Sequence, residues 1–394
     1  MAKAKRGSVV RSVGGSVPES VRPASWGPVR SVLDQAGPAN RLLRRGLAAL
    51  LLFTIATSLP AFLAWSPGVD LQIPLLAADR WAAGGQPYVA SSFAITSGTG
   101  LPFLYPPWLL PILVPFLALP RTVLIGVWLI LGVGVAVWTC RRFAFPWAFI
   151  PVVLLWPPFV EGLVTGNVQL FQLAAFAALF YSPGTNGQLT PRAATSPGTT
   201  ARKDFVDGLM AAGVGALKYT QLLPIAWLIR PRPRSAVLGI AVLVLVMVAM
   251  LPFTGIGLYG DWIAQLGRAS DPNWAATGAP LSMLVGRPIA TAAAVIAVAA
   301  LLFVRGRDTG SWVGIALLIA APSIHGYGML FLLPVLLTVR RDLAIFLATL
   351  IARYNIYGWW ISIAVAAVAL AASKWVPSLR TQDQSVRSVP PGPQ

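Results

Sequence analysis

From residue 46 to residue 375 the chain is a succession of apolar runs separated by short clusters of Arg, Pro and Gly. Most runs have roughly the 17–25 residues that span a hydrocarbon core of about 30 Å as helix. Inside lipid every backbone polar group needs a partner within the fold, so such a series specifies a bundle of helices. A β-barrel would show short alternating segments instead. Hydrophobic residues make up 56% of the 394 residues and charged residues 11%, too little polar surface for a water-soluble globule of this size. The expected fold is an all-α polytopic membrane protein over 41–376 with about twelve transmembrane helices. They fall at 46–65, 103–119, 122–140, 145–160, 168–181, 205–229, 235–253, 288–304, 311–323, 327–339, 343–356 and 358–375.

The net charge of +18 resides in tails and short loops beside apolar runs, not on one amphipathic face, so nucleic acid is not an expected partner. Strict alternation of the spans places both termini on one side with Arg121, Arg230, Arg232, Arg234, Arg305, Arg307, Arg340 and Arg341. By the positive-inside rule that side is cytoplasmic, and the membrane is the inner (cytoplasmic) one. Arg141, Arg142, Arg192, Arg202 and Lys203 then fall on the wrong side, a conflict centred on 143–181. Residues 1–40 read as a disordered basic cytoplasmic tail, 182–203 as a flexible Ser/Thr/Pro/Gly loop and 377–394 as a second disordered tail. The first apolar run, behind Arg41, Arg44 and Arg45, is long enough to remain as an anchor. No internal repeat of the kind common in transporters is visible.

A single cysteine, Cys140, excludes an intramolecular disulfide, and a single histidine excludes a multi-histidine metal site. Chemistry must therefore come from carboxylates, amides, tyrosines and cations. Alternation gathers three polar segments on the non-cytoplasmic side: external loops at 66–102 and 254–287, and a turn at 323–327 carrying His325. In the first loop, Ile73, Leu76, Ala77, Arg80 and Trp81 recur at helical spacing behind Pro74, so an interfacial helix is expected over 74–81, ended by Gly84 and Gly85. Asp70, just ahead of it, reads either as a helix cap or as a functional acid. Asp79 reads as a solvated residue or a partner of Arg80. Tyr105 and Trp108 suit interface depth, and Asn167 and Gln169 suit capping or bridging of helices. Lys218 lies well inside the 205–229 run, where a cation faces protein, water or an anion rather than lipid.

In order along the chain, Asp70, Gly85-Gln86-Pro87-Tyr88, Tyr105-Pro106-Pro107, Gly166-Asn167, Leu217-Lys218 and Pro322-Ser323-Ile324-His325-Gly326-Tyr327 form a set. That set resembles glycosyltransferase family 87 from about residue 47 to 339. These are polytopic enzymes of the GT-C class that use polyprenyl-phosphate sugars, among them mycobacterial mannosyl- and arabinofuranosyltransferases of envelope glycolipids. The chain departs from the family pattern at Leu71, Tyr219, Ala321 and Gly326.

The resemblance implies an acceptor hydroxyl attacking the anomeric carbon of a polyprenyl-phosphate sugar at the outer membrane face, with Asp70 as general base. It also implies His325 as a second base or a phosphate ligand, and Lys218, Tyr105, Arg287, Asn167 and Gln169 as donor or phosphate contacts. Mannose is the expected sugar, and a lipid or glycolipid, among membrane lipids, the expected partner. No cofactor or metal is expected, because the donor phosphate is already a leaving group and the chain has no Asp-x-Asp pair. A secondary transporter and a non-catalytic lipid-binding membrane protein are the competing expectations.

Overall fold

The computed structural model describes residues 38–64, 67–88, 93–94, 100–183, 189–191, 201–218, 222–269, 278–321, 323–353 and 355–376. Residues 1–37 of the tail expected over 1–40, the tail expected at 377–394, most of the 182–203 loop, and Arg192, Tyr219 and Pro322 lie outside the described residues, whereas Pro38, Ala39 and Asn40 already belong to helix Pro38–Leu63. The chain forms two compact units, Met1–Gly46 and Leu47–Gln394. In the first, the described residues are the opening turns of helix Pro38–Leu63.

The second unit is helical, with two short antiparallel ladders pairing Phe93–Ala94 with Gly100–Leu101 and Tyr181–Pro183 with Leu189–Pro191. Among the described residues, Leu42–Leu63, Arg121–Arg142 and Pro233–Thr254 are each 22 residues long and apolar enough to cross a membrane. A further apolar pair, Trp147–Leu154 and Pro157–Thr165, meets at 71°, the geometry of a broken span or of a re-entrant loop. Trp156 precedes two prolines there, and proline supplies no N–H to carry a helix through. Several other expected spans are shorter helices, such as Gln169–Phe180 and Thr309–Ala320, so the twelve spans are not matched one for one. Apolar side chains such as Ile130, Leu245 and Val368 point outward from these helices, a surface that suits lipid rather than water.

Two expected spans turn back on themselves. The segment 103–119 begins beside helix Val69–Ala82, where Tyr88 Oη donates to the Tyr105 carbonyl at 2.7 Å and Phe103 packs in one cluster with Ile73. It ends beside the same helix, where Arg121 pairs with Asp79 at 3.7 Å and Ile125 abuts Gly68. Helix Leu109–Leu113 and the 3-10 segment Val114–Ala118 thus enter and return at one end of the bundle. Pro111 lies within the short α-helix, and Pro115 stands in the first turn of the 3-10 segment that continues it.

The expected span 205–229 is a hairpin. Helix Ala201–Ala216 starts where Asp207 pairs with Arg232, Asp204 accepts from Ser235 Oγ at 3.1 Å, and Gly208 meets Gly239 backbone to backbone. The chain climbs to Lys218 and returns through helix Leu223–Leu228 to Arg232. Glycines at 208 and 239 allow the approach: a Cβ on Gly208 would lie 2.6 Å from the Ser235 carbonyl oxygen.

These two reversals correct the expected alternation. Arg121 lies at the Asp70 end of helix Arg121–Arg142. Arg141 and Arg142 lie at the far end, where Arg142 donates to the Ala178 carbonyl at 3.4 Å and Phe143 meets Tyr181 edge-on. Arg202 and Lys203 begin the helix whose base holds Arg232. Arg141, Arg142, Arg202, Lys203 and Arg232 therefore gather at the end remote from Asp70, whereas Arg121 stands at the Asp70 end. Hydropathy alone does not separate a run that crosses from one that turns back.

Two buried clusters hold the unit together. The larger one runs through the bundle and includes Phe159, Leu173, Phe176, Phe331 and Leu347. The smaller one, with Ile73, Ala77, Ala78, Tyr88, Phe103, Tyr105, Leu110 and Val168, seats helix Val69–Ala82 against the bundle. Burial, reinforced by the neighbouring Tyr259 and Asp261, pushes the Tyr88 phenol up, so it remains a neutral donor to the Tyr105 carbonyl.

Candidate functional site

Asp70 stands in the first turn of helix Val69–Ala82, which begins five residues before the expected start at Pro74. The N-cap is Gly68, with φ 70°, so Asp70 is not the cap that one reading assigned to it. Pro74 lies within the helix and has no N–H for the Asp70 carbonyl four residues earlier. Asp79 pairs with Arg121 rather than Arg80, and both partners are exposed, so the pair adds little stability.

A close backbone approach brings Asp70 to its neighbours. Gly68 donates its N–H to the Val164 carbonyl at 2.7 Å, next to Gly166, which ends helix Pro157–Thr165 in the left-handed conformation at φ 69°. A Cβ on Gly166 would sit 3.2 Å from Gly68 Cα and 3.2 Å from Trp128 Cδ1. Glycine meets both demands, the backbone angle and the space. Trp128 Nε1 donates to the Gly166 carbonyl at 2.7 Å and closes the junction.

Asn167, the next residue, is 2% exposed. Its Nδ2 donates to Asp70 Oδ2 at 2.7 Å, and its Oδ1 accepts the backbone N–H of Gln169 at 2.8 Å. Gln169 Oε1 in turn accepts from Lys218 Nζ at 3.2 Å. Lys218 sits at the tip of the 201–228 hairpin, its ammonium 5.1 Å from the centre of the Tyr327 ring. Tyr327 stacks on His325 with ring centroids 5.2 Å apart. Asp70, Asn167, Gln169, Lys218, Tyr327 and His325 thus form one continuous chain of contacts.

Gln169, Lys218, Ser323, His325, Tyr327 and Gly328 line a small cleft of about 30 Å³, with Leu317, Leu318, Ala321, Ile324 and Phe331 completing its wall. The cleft wall at His325 is braced from the external loop. Ala279 donates to the Ile324 carbonyl at 2.9 Å, and Gly278, at φ 96°, packs so closely that a Cβ would meet Ser323 Oγ and His325 Nε2. A small polar cleft with a cation and an imidazole, linked through Gln169 and Asn167 to a carboxylate, offers an anion both charge and hydrogen-bond donors.

The remaining expected residues lie further out. Tyr105 is buried against Phe103 with its phenol within electrostatic reach of Asp70. Trp108 donates to the Ala216 carbonyl at 3.1 Å and Trp262 to the Leu104 carbonyl at 3.0 Å, which ties the Tyr-Pro-Pro-Trp segment to the hairpin tip. Arg287 is exposed, donates to the Gly267 carbonyl at 2.8 Å, and is not a lining residue of the cleft. Glu161 escaped the sequence reading. It is 1% exposed and accepts the Tyr327 N–H at 2.7 Å. A carboxylate inside Trp156-Pro157-Pro158-Phe159-Val160-Glu161-Gly162 is itself a signal, because an acid within an apolar run must have a partner.

The family model described as glycosyltransferase family 87 matches residues 103–322, more than half of the chain. The match includes Tyr105, Glu161, Asn167, Gln169, Lys218 and Arg287 and stops short of Asp70 and His325, which the fold links to the matched residues Asn167 and Lys218 through direct contacts and through Tyr327. No curated protein and no solved structure matches the chain.

Proposed function

The chain belongs to glycosyltransferase family 87, and we propose that it moves a sugar, mannose, from a polyprenyl-phosphate donor to a hydroxyl of a lipid or glycolipid acceptor. The site faces the outer side of the cytoplasmic membrane. Clustering of Arg141, Arg142, Arg202 and Arg232 at the end remote from Asp70 supports that orientation, since basic loops stay cytoplasmic.

In this reading the acceptor oxygen forms a bond to the anomeric carbon as the bond from that carbon to the phosphate oxygen breaks. The hydroxyl proton passes to Asp70, and the polyprenyl phosphate leaves with the electron pair. One displacement of this kind inverts the anomeric centre. Asn167 orients the base by holding one carboxylate oxygen at 2.7 Å, and so acts on Asp70 rather than on phosphate. Lys218 and His325, on the cleft wall, meet the negative charge that grows on the phosphate. Gln169 holds Lys218 in place, and Tyr105 stands buried within electrostatic reach of Asp70. No step requires a metal.

The observation that carries this reading is the unbroken contact chain from Asp70 to the cleft with Lys218 and His325, in a chain of this family. The test supplies purified protein in lipid nanodiscs with radiolabelled polyprenyl-phosphate mannose or arabinofuranose and envelope lipid acceptors. Transfer of mannose to lipid is the expected result. Solute uptake in proteoliposomes with no transfer to any lipid would overturn it in favour of a transporter.

A further inference from the structure

Glu161 is a buried carboxylate that the proposed reaction leaves unused. Its desolvation costs several kcal/mol unless other groups compensate, so its surroundings indicate what it holds. The 3-10 helix Gly326–Leu332 begins at the floor of the cleft without a side-chain cap of its own. The first N–H groups of any helix lack internal partners. Glu161 Oε2 accepts one of them, the Tyr327 N–H, at 2.7 Å from a helix 166 positions away in sequence. A carboxylate there makes a charge-assisted bond and sits favourably at the positive end of the peptide dipoles. Gly162 lets the two elements touch, since a Cβ at that position would lie 3.4 Å from Tyr327 Cβ.

The anchored residue is central to the cleft. Tyr327 carries the Lys218 ammonium over its ring and His325 stacked against it. Resting on the functional reading above, we propose that Glu161 is a positioning residue of the donor-phosphate site: by anchoring the Tyr327 backbone it fixes Lys218 and His325 against the cleft. It touches neither donor nor acceptor.

Three variants separate anchoring from charge and from general stability. Glu161→Gln keeps an acceptor for the Tyr327 N–H and removes the charge. Glu161→Asp keeps the charge and withdraws the acceptor by one methylene, and Glu161→Ala removes both. In nanodiscs, donor and acceptor KM, kcat and the binding of a polyprenyl monophosphate are measured for each. Anchoring predicts that Glu161→Gln stays within about threefold of wild type. Glu161→Asp and Glu161→Ala raise donor KM and weaken polyprenyl monophosphate binding by about tenfold or more, a loss of about 1.4 kcal/mol, with acceptor KM unchanged. Should Glu161→Ala fail to fold, the order of Gln and Asp still decides. Glu161→Asp outperforming Glu161→Gln, or donor and acceptor KM rising together, overturns the inference. Wild-type protein that binds no polyprenyl monophosphate overturns the functional reading itself, whereas equal binding by wild type and all three variants overturns the inference alone.

Discussion

Asn167 Nδ2 lies 2.7 Å from Asp70 Oδ2, joining a helix start to helix Val69–Ala82, 97 positions away in sequence. The amide can face only one way. Its oxygen accepts the Gln169 N–H at 2.8 Å, so its NH₂ group must point at the carboxylate. Asp70 is thereby held by a group that is itself held by the helix it starts.

Replacing Asn167 tests whether this contact aims the base. Asn167→Ala leaves Asp70 in place without its donor, and kcat is expected to fall about 10–100-fold, or about 1.4–2.7 kcal/mol, with donor KM little changed. Asn167→Asp sets two carboxylates side by side, which disfavours ionisation of both, and is expected to be the worse variant. Steady-state kinetics on the two proteins checks the order.

Gly166 tests the junction beneath the contact. At φ 69°, with Gly68 Cα 3.2 Å from where a Cβ would sit, alanine is both strained and crowded. Gly166→Ala is expected to destabilise the protein by about 1–3 kcal/mol and to reduce transfer further by displacing Asp70. Thermal unfolding in detergent gives the first quantity and the transfer assay the second.

Lys218 donates to Gln169 and stands over Tyr327, facing the cleft. Lys218→Met keeps the volume and removes the cation. Donor KM is expected to rise about 10–100-fold, equivalent to about 1.4–2.7 kcal/mol, while acceptor KM stays within about twofold. A rise in acceptor KM alone would place the cation at the other substrate.

The reversals of 103–119 and 201–228 set the sidedness of the cations. Cys140 is buried, so single cysteines introduced at exposed Arg121 and at Arg202 can be labelled selectively in intact cells and in inverted vesicles. Arg121→Cys is expected to react from the outside and Arg202→Cys from the inside. The same face for both would contradict the paired reversals.

Much of the fold and of the site was legible in the sequence. Apolar runs and scarce charges specify a helical membrane bundle, and the ordered motifs bring Asp70, Lys218 and His325 to notice. The helix start at Val69 was not legible, because Pro74 resembles a first-turn residue and Gly68 caps without a side chain. The two reversals escaped for a different reason. Hydropathy measures how apolar a run is, whereas the returns depend on contacts distant in sequence, such as Arg121 with Asp79 and Gly208 with Gly239. Glu161 was overlooked because it stands one residue beyond the expected 145–160 span, yet the helix Pro157–Thr165 carries it into the interior.

The central claim, that Asp70 takes the acceptor proton, is tested most directly by Asp70→Asn in nanodiscs, with sugar transfer and polyprenyl monophosphate binding measured on the same sample. The amide keeps the size of the side chain and cannot accept the proton. General-base assistance is typically worth about 10²–10⁴-fold, so transfer is predicted to fall by that range while polyprenyl monophosphate binding stays within about twofold. Transfer at the wild-type rate by Asp70→Asn would contradict the account.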